Sequence, residues 1–214
     1  MSTHPTHAVL DLTAAPPRVI GVLSDSHIPF RLPALPAEAL DRLAGCDLIL
    51  HAGDLEDPRL LAQLRTLAPA HAVRGNIHWS YSTGTHDLDL PETLTVRLGS
   101  RTLWMTHGHL NFGYTMVDKA VAFTRRPTLE DVNQTLIGRL SQARPADADI
   151  VIFGHSHNPC QITRAGVLYF NPGAIVGARG ERGETRPASL GRLTFNADGT
   201  FASDVLVLDS VEVA

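Results

Sequence analysis

The sequence is poor in cysteine and lysine, and the shortage of cysteine excludes a class of protein. Its 214 residues include only two cysteines, Cys46 and Cys160, which are too few for a disulfide framework and lack the spacing of a metal site. We therefore expect reduced thiols in a cytosolic protein. Lysine is also scarce: Lys119 is the only one, so nearly all of the positive charge comes from arginine.

Long apolar runs and an excess of positive charge are missing as well. No run approaches the roughly 18 apolar residues that a membrane span requires, so we expect no membrane partner. The first 17 residues do not combine a positive segment with an apolar stretch, so we expect no secretory signal and a cytoplasmic location. With a net charge of −4, the chain gives no strong indication of nucleic-acid binding.

The order of apolar patterns predicts a mixed α/β fold in one domain with a sizeable core. Residues 1–17 are polar, end in Ala-Ala-Pro-Pro and are predicted to be a flexible extension, and residues 18–214 are predicted to form the domain. Strand and helix patterns alternate up to residue 76, which is typical of parallel strands joined by helices. Farther along, Thr128 and Asp131 resemble a capping box and predict a helix over residues 129–143.

What the chain does contain is a series of polar clusters, each of which ends an apolar run that we predict to be a buried strand. Ligands of open α/β sheets bind beyond the carboxyl ends of the strands, so we expect the clusters to meet at one rim. There are five: Asp25-Ser26-His27, Gly53-Asp54, Gly75-Asn76, His107-Gly108-His109 and Gly154-His155-Ser156-His157.

The side chains in these clusters are typical metal ligands. Carboxylate, amide oxygen and imidazole without thiolate disfavour a structural zinc site and favour manganese, iron, nickel or catalytic zinc. Calcium and magnesium prefer shells of oxygen alone. One carboxylate can bridge two cations, and two cations about 3.5–4 Å apart can hold a hydroxide and bind a phosphoryl group. The sequence therefore predicts a two-metal hydrolytic site.

In this order the clusters resemble the motifs of the calcineurin-like metallophosphoesterases, over residues 18 to about 175. Their short spacing and the Asn171-Pro172-Gly173 turn are similar to the small prokaryotic phosphodiesterase branch. The resemblance implies a four-layer α-β-β-α sandwich, with two mixed sheets packed face to face and helices outside. It also implies two divalent cations, which we expect to be Mn²⁺, with Fe, Zn and Ni as alternatives.

The resemblance further implies how the ligands are shared between the cations. The first metal would be held by Asp25, His27, Asp54 and His157, and the second by Asp54, Asn76, His107 and His155, with Asp54 as the bridge. His109 would lie close to the first metal and to bound phosphate.

The third motif departs from the family pattern, which usually has His directly after Asn. Here the chain reads Gly75-Asn76-Ile77-His78, and Ile77 cannot donate a proton to a leaving group. Either His78 takes that role, or catalysis relies on the metals, water and His109. A general acid typically contributes roughly 10²–10⁴-fold, so its loss disfavours monoesters with poor leaving groups and favours activated or cyclic diesters.

The leading hypothesis is a phosphodiesterase that hydrolyses a small phosphate ester by in-line attack of a metal-bridging hydroxide. A rival is a non-catalytic scaffold or binding module, since the family includes a retromer subunit of that kind. A second rival is a protein phosphatase or dinucleoside-tetraphosphate hydrolase, whose Asp-Arg-Gly stretch after Gly-Asp is replaced here by residues 55–58. Residues 110–149 form either a helical lid that touches substrate or a pair of surface helices, and homo-oligomer formation is left open.

Overall fold

Strands and helices alternate along the chain in the computed structural model, which describes residues 6–76, 90–209 and 211. In those ranges the strands are β1 (His7–Asp11), β2 (Val19–Leu23), β3 (Leu48–His51), β4 (Ala70–Ala72), β5 (Thr93–Leu98), β6 (Arg101–Thr106), β7 (Ile150–Ile152), β8 (Cys160–Arg164), β9 (Val167–Asn171), β10 (Ala178–Arg179), β11 (Thr185–Arg186), β12 (Ser189–Phe195) and β13 (Phe201–Val207). The helices are α1 (Ala37–Leu43), α2 (Pro58–Arg65), α3 (Phe112–Arg125) and α4 (Leu129–Ala143).

The strands form two large mixed sheets and one short hairpin. One sheet has the order β1-β5-β6-β7-β9-β8, the other has the order β13-β12-β2-β3-β4, and β10 pairs with β11. In the five-stranded sheet β2, β3 and β4 are parallel, and in the six-stranded sheet β6, β7 and β9 are parallel. The carboxyl ends of these strands therefore lie together at one edge of each sheet.

Three groups of buried side chains show how the sheets and helices pack. Between the sheets, Ile20 and Leu50 of one sheet pack with Met105 and Ile152 of the other. The outer face of the five-stranded sheet packs against α1 and α2, and that of the six-stranded sheet packs against α4. The predicted mixed α/β fold, with helices outside two sheets, is confirmed by this packing.

The helix boundaries follow from local capping. Asp57 caps α2 by accepting a hydrogen bond from the Arg59 backbone N–H, and Pro58 occupies the first helical position, which suits its fixed φ. Thr128 and Asp131 form the predicted capping box at the start of α4, whose bounds match the predicted helix. None of the helices among the described residues is long and apolar enough to cross a membrane.

One part of the sequence prediction is wrong at the N-terminal end. Residues 7–11 lie in β1, which pairs in parallel with β5, whereas they were predicted to belong to a flexible extension. Ala8 and Leu10 pack against the core between the sheets, while the alternate residues are exposed. An alternation of only two inward side chains is too short to predict a strand from the sequence alone.

Candidate metal centre

The polar clusters meet at the rim formed by the carboxyl ends of β2, β3, β4, β6 and β7. All seven predicted metal ligands lie there, and so does His109. Asp25 and His27 follow β2, Asp54 follows β3, Asn76 follows β4, His107 and His109 follow β6, and His155 and His157 follow β7. His78, the alternative proton donor, lies outside the described residues.

A first group of ligand atoms consists of Asp25, His27 and His157, whose donor atoms all lie within 4.8 Å of one another. Nε2 of His157 is 3.2 Å from Nε2 of His27 and 3.2 Å from Oδ1 of Asp25. Two imidazole nitrogens and a carboxylate oxygen therefore face the same small space.

A second group consists of Asp25, Asp54 and His107, again within 4.8 Å of one another. Nε2 of His107 is 3.4 Å from Oδ2 of Asp54 and 3.9 Å from Oδ1 of Asp25. The same oxygen of Asp54 is 3.9 Å from Nε2 of His27 in the first group. Both carboxylates thus lie between the two groups, so Asp25 and Asp54 each occupy a position from which a ligand could contact two cations.

Asn76 and His155 extend the second group. Oδ1 of Asn76 is 2.8 Å from Nε2 of His107 and 3.1 Å from Nδ1 of His155. The backbone N–H of His155 donates to Oδ2 of Asp25 over 3.0 Å, which links the two sheets at the centre. One amide oxygen and two imidazole nitrogens converge here as they would around a cation.

The hydrogen bonds of the histidines test whether cations fit this arrangement. In three of them Nδ1 lies against an acceptor outside the centre: His27 against Oε1 of Glu56 at 2.6 Å, His107 against the Ala52 carbonyl at 2.8 Å and His157 against the Gly177 carbonyl at 3.0 Å. Each Nδ1 must carry a proton to donate, so in a neutral ring Nε2 presents a lone pair. Lone pairs that face carboxylate and amide oxygens repel one another unless a proton or a metal cation lies between them. Oδ1 of Asp25, which is buried without a hydrogen-bond partner among the described residues, also fits a cation.

The electrostatics of the centre favour positive charge. Burial tends to lower the pKa of His107, but Asp54 and Asp25 outweigh it and raise that pKa to about 9. Burial tends to raise the pKa values of the two carboxyl groups, but the neighbouring imidazoles hold both pKa values well below their usual range. The two carboxylates are therefore ionised at neutral pH, and they attract a proton or a metal ion into the space beside them.

The backbone around the ligands is strained. A left-handed backbone conformation costs a non-glycine residue roughly 1–2 kcal/mol. Residues in this conformation concentrate at functional sites. Five of the seven predicted ligands have such φ angles: Asp25 51°, His27 48°, Asp54 53°, His155 71° and His157 55°. Gly75 shows how tightly the chain packs here, since a Cβ on it would lie 1.8 Å from Oδ1 of Asp54.

His109 lies beside the second group without joining it, whereas the resemblance implies a position close to the first metal. Its ring centroid is 5.5 Å from that of His107 and 6.1 Å from that of His155. Burial, together with the two neighbouring imidazoles, lowers the pKa of His109 to about 3. Nδ1 of this ring is buried and has no hydrogen-bond partner among the described residues.

Two acidic residues that the sequence did not single out support the ligands. Glu56 accepts from His27, and Oδ2 of Asp118 on α3 lies 3.8 Å from Nε2 of His155. Glu56 follows Asp54 closely, so an acid after the Gly-Asp motif was a usable signal. Asp118 lies 37 residues before its partner in an unremarkable helix, and nothing in the local pattern identifies it.

A buried amide on α4 holds the loop that carries His155 and His157. The side chain of Asn133 accepts from the Ser156 hydroxyl at 2.6 Å and donates to the Asn158 carbonyl at 3.0 Å. Asn171 donates to the same hydroxyl from the end of β9. The outer helix layer therefore helps to position two of the predicted ligands.

Comparison with known proteins connects this centre to phosphoesterases. The sequence profile of the calcineurin-like phosphoesterase superfamily domain matches residues 19–193. A probable metallophosphoesterase of Methanothermobacter thermautotrophicus is 31% identical over 156 residues, which are 73% of this chain and 76% of that protein.

Solved structures show the same fold at lower identity. Vps29 from Entamoeba histolytica, in complex with Zn²⁺, has a TM-score of 0.58 and 23% identity, and the match covers 88% of this chain and 98% of that one. An archaeal phosphodiesterase has a TM-score of 0.51 and 18% identity, with 88% and 99% covered. At these identities the similarity establishes the shared fold and nothing more specific.

Proposed function

Because this chain belongs to the calcineurin-like phosphoesterase superfamily, as its motifs indicated, we propose that it is a metal-dependent hydrolase of small phosphodiesters in the cytoplasm. The observation that carries the proposal is the geometry of three histidines. His27, His107 and His157 each direct Nδ1 to an acceptor outside the centre, which leaves Nε2 free toward the carboxylates of Asp25 and Asp54. Acceptors that converge in this way are suited to divalent cations.

Two cations would be held by the seven ligands in the arrangement that the family resemblance implies, with Mn²⁺ as the first choice and Fe, Zn or Ni as alternatives. When bound, such cations lower the pKa of a water and neutralise charge on phosphoryl oxygens. Asp25 and Asp54 both lie between the two imidazole groups, so Asp25 would share the bridging role that the resemblance gives to Asp54 alone.

His109 is the residue that we assign to the phosphoryl group. It is buried beside His107 and His155, and its Nδ1 has no partner among the described residues. A ring N–H in this position would donate a hydrogen bond to a phosphoryl oxygen, and that bond would strengthen as charge develops on the oxygen. His78 remains the alternative proton donor.

A diester is favoured over a monoester because of the third motif. Ile77 follows Asn76 in the sequence, so the usual imidazole for protonating a poor leaving group is replaced by an apolar side chain. An activated diester has a leaving group that departs without this help.

The proposal is tested with bis-p-nitrophenyl phosphate and Mn²⁺. We expect metal-dependent release of p-nitrophenol by the parent, and a loss of about 10²-fold or more in Asp54→Asn and in His107→Ala. Asp198→Asn, in the exposed turn between β12 and β13 and away from the rim, serves as a matched control and should retain full activity.

Absence of turnover by the parent would contradict the proposal and favour a scaffold role. Faster hydrolysis of a dinucleoside tetraphosphate or a phosphoprotein than of any diester would favour the second rival. Metal analysis of protein purified without chelators identifies the native cations in the same preparation.

A further inference from the structure

A cleft of about 400 Å³ opens beside the proposed metal centre, between α3 and α4. Its lining includes Asn76 and His155, two of the proposed ligands, so the cleft and the centre adjoin. The rest of the lining comes from the two helices and Pro127 between them. An ester whose phosphorus lies at the centre can therefore extend its organic group into this cleft.

The walls of the cleft combine apolar and cationic side chains. Val121 and Ala122 of α3 face Val132 and Leu136 of α4, which gives apolar contact surface. Charged groups also line the cleft: Asp118, Lys119, Arg125 and Arg139. Such a mixture suits an organic group that itself carries negative charge.

The side chain of Arg139 is held by contacts within the protein, so it is not available to bind a ligand. Its two terminal nitrogens donate to the carboxylate of Asp118 over 2.9 and 2.8 Å, and its guanidinium lies 4.3 Å above the ring of Tyr114. These contacts fix α3 against α4. Since Asp118 also lies 3.8 Å from His155, they connect the cleft wall to the centre.

Lys119 and Arg125 differ from Arg139 because the side chain of neither has an ion-pair or hydrogen-bond partner within residues 6–76 and 90–209. Lys119 is also the only lysine of a chain whose net charge is −4. Two uncompensated cations beside a centre for anionic substrates raise the local concentration of anions.

The positive charge continues beyond the cleft. Arg125 also lines a second, more open cleft of about 710 Å³ with Arg126, Arg179 and Arg182, in which Glu181 is the one acid of the lining. Arg126 donates to the Glu181 carbonyl and Arg182 donates to the Arg126 carbonyl, so these arginines join α3 to the β10–β11 hairpin without losing their charge. A favourable interaction with the helix dipole would explain Arg125 at the end of α3, but it explains neither Lys119 nor the arginines of the hairpin.

From this distribution we infer that the α3–α4 cleft binds the organic group of the phosphodiester, and that Lys119 and Arg125 bind a second phosphate carried by that group. The inference rests on the proposed function and narrows its substrate class to diesters with at least one further phosphate. Phosphate is favoured over a single carboxylate because the cationic surface extends past Arg125, and because a phosphate group carries more negative charge than a carboxylate.

The test uses two chromogenic substrates that differ in one phosphate: the p-nitrophenyl ester of thymidine 5′-phosphate and the same ester phosphorylated at the 3′ position. The parent should have a kcat/KM about tenfold higher for the 3′-phosphorylated ester, since a charge-assisted contact with phosphate is made only there. In the double variant Lys119→Gln and Arg125→Gln this preference should fall to about one. Arg97→Gln, which removes an exposed arginine on β5, should keep the parental preference.

The inference is overturned if the parent shows no preference for the second phosphate, or if the double variant keeps it, while bis-p-nitrophenyl phosphate is still hydrolysed. If no substrate is hydrolysed at all, the proposed function fails separately. In that case, calorimetric titration of the protein with thymidine 3′,5′-bisphosphate and with thymidine 5′-phosphate tests whether the cleft binds the second phosphate. Binding of the bisphosphate that is roughly tenfold tighter in the parent, and no tighter in the double variant, supports a site for the second phosphate in the cleft. Equal affinities for the two compounds in the parent refute that site.

Discussion

At the scale of single residues, the centre depends on how closely the backbone approaches the ligands. A Cβ built on Gly75 would lie 1.8 Å from Oδ1 of Asp54 and 2.3 Å from its backbone nitrogen. Both atoms belong to a residue that is already in the left-handed region, so Asp54 has little freedom to move away. The position next to Asn76 therefore excludes every residue with a side chain.

Gly75→Ala can be accommodated only if the loop that carries Asp54 shifts, so the substitution should displace that carboxylate at a cost in stability. We expect the affinity for Mn²⁺, measured by calorimetric titration, to fall about tenfold or more, because a carboxylate ligand loses its position. Gly138→Ala in α4 is the matched control, since a Cβ there meets nothing within 4 Å. That variant should bind Mn²⁺ normally and should be slightly more stable, because alanine is favoured over glycine in a helix by up to about 1 kcal/mol. Parental affinity in Gly75→Ala would argue against Asp54 as a ligand.

Glu56 offers a second test at this scale, because it holds the ring of His27 through a hydrogen bond of 2.6 Å. Replacing the partner of a metal-binding histidine typically costs about 10–100-fold in metal affinity or activity, and we expect Glu56→Ala to fall in this range. Glu56→Gln keeps an oxygen that can accept from Nδ1, so it should recover part of the loss. The measurement is Mn²⁺ affinity with hydrolysis of bis-p-nitrophenyl phosphate, and equal effects of the two substitutions would contradict an orienting role.

The sequence identified the residues at the rim because each one directly follows an apolar run. Asp25 after β2 and His107 after β6 need only the rule that strand ends meet. The contact between Asp118 and His155 could not be predicted, because it depends on how α3 packs beside the β7 loop. The resemblance implied Asp54 alone as the bridge, and the similar position of Asp25 could not be predicted because it depends on distances of 3–4 Å.

At the scale of elements, α4 supports the loop after β7 and is itself secured at its start. Thr128 and Asp131 exchange the two hydrogen bonds of a capping box, and one turn later Asn133 reaches Ser156. The cap was predictable because its residues are adjacent in sequence. The contact made by Asn133 was not, because it joins residues 23 apart. Strand β1 was missed for a related reason: its partner β5 lies more than 80 residues away.

Thr128→Ala should destabilise the protein by about 1 kcal/mol, because it leaves a backbone N–H of the first turn of α4 without its acceptor. Urea denaturation measures this as a lower transition midpoint with an unchanged slope. Thr135→Ala is the control on the same helix, since the hydroxyl of Thr135 donates a hydrogen bond only to the Asp131 carbonyl within α4 itself. A loss in Thr135→Ala as large as that in Thr128→Ala would show that the cap is not responsible.

At the scale of the whole molecule, the centre joins the two sheets. The five-stranded sheet supplies Asp25, His27, Asp54 and Asn76, and the six-stranded sheet supplies His107, His155 and His157. Each of the two ligand groups of the centre contains residues from both sheets. Bound cations would therefore hold together the two halves of the core, and metal binding should stabilise the whole fold.

Mn²⁺ should raise the melting temperature of the parent. A free concentration about 100-fold above Kd adds about 2.7 kcal/mol, which corresponds to roughly 5–10 °C for a protein of this size. Differential scanning fluorimetry with increasing Mn²⁺ and with EDTA measures the shift. Asp54→Asn should lose most of it, and Asp198→Asn should keep it. A melting temperature that is the same with metal and with chelator would contradict a centre shared between the sheets.

The partners of the three oriented histidines differ in what evolution can alter. The rings of His107 and His157 donate hydrogen bonds to the main-chain carbonyls of Ala52 and Gly177. Every amino acid possesses such a carbonyl. No codon change at residue 52 or 177 deletes those acceptors. His27 relies on the carboxylate of Glu56, which a single nucleotide change can remove. Among relatives of this protein, substitutions that alter the centre should therefore arise first beside His27, because the acceptor of its Nδ1 is a side chain that a single substitution can remove.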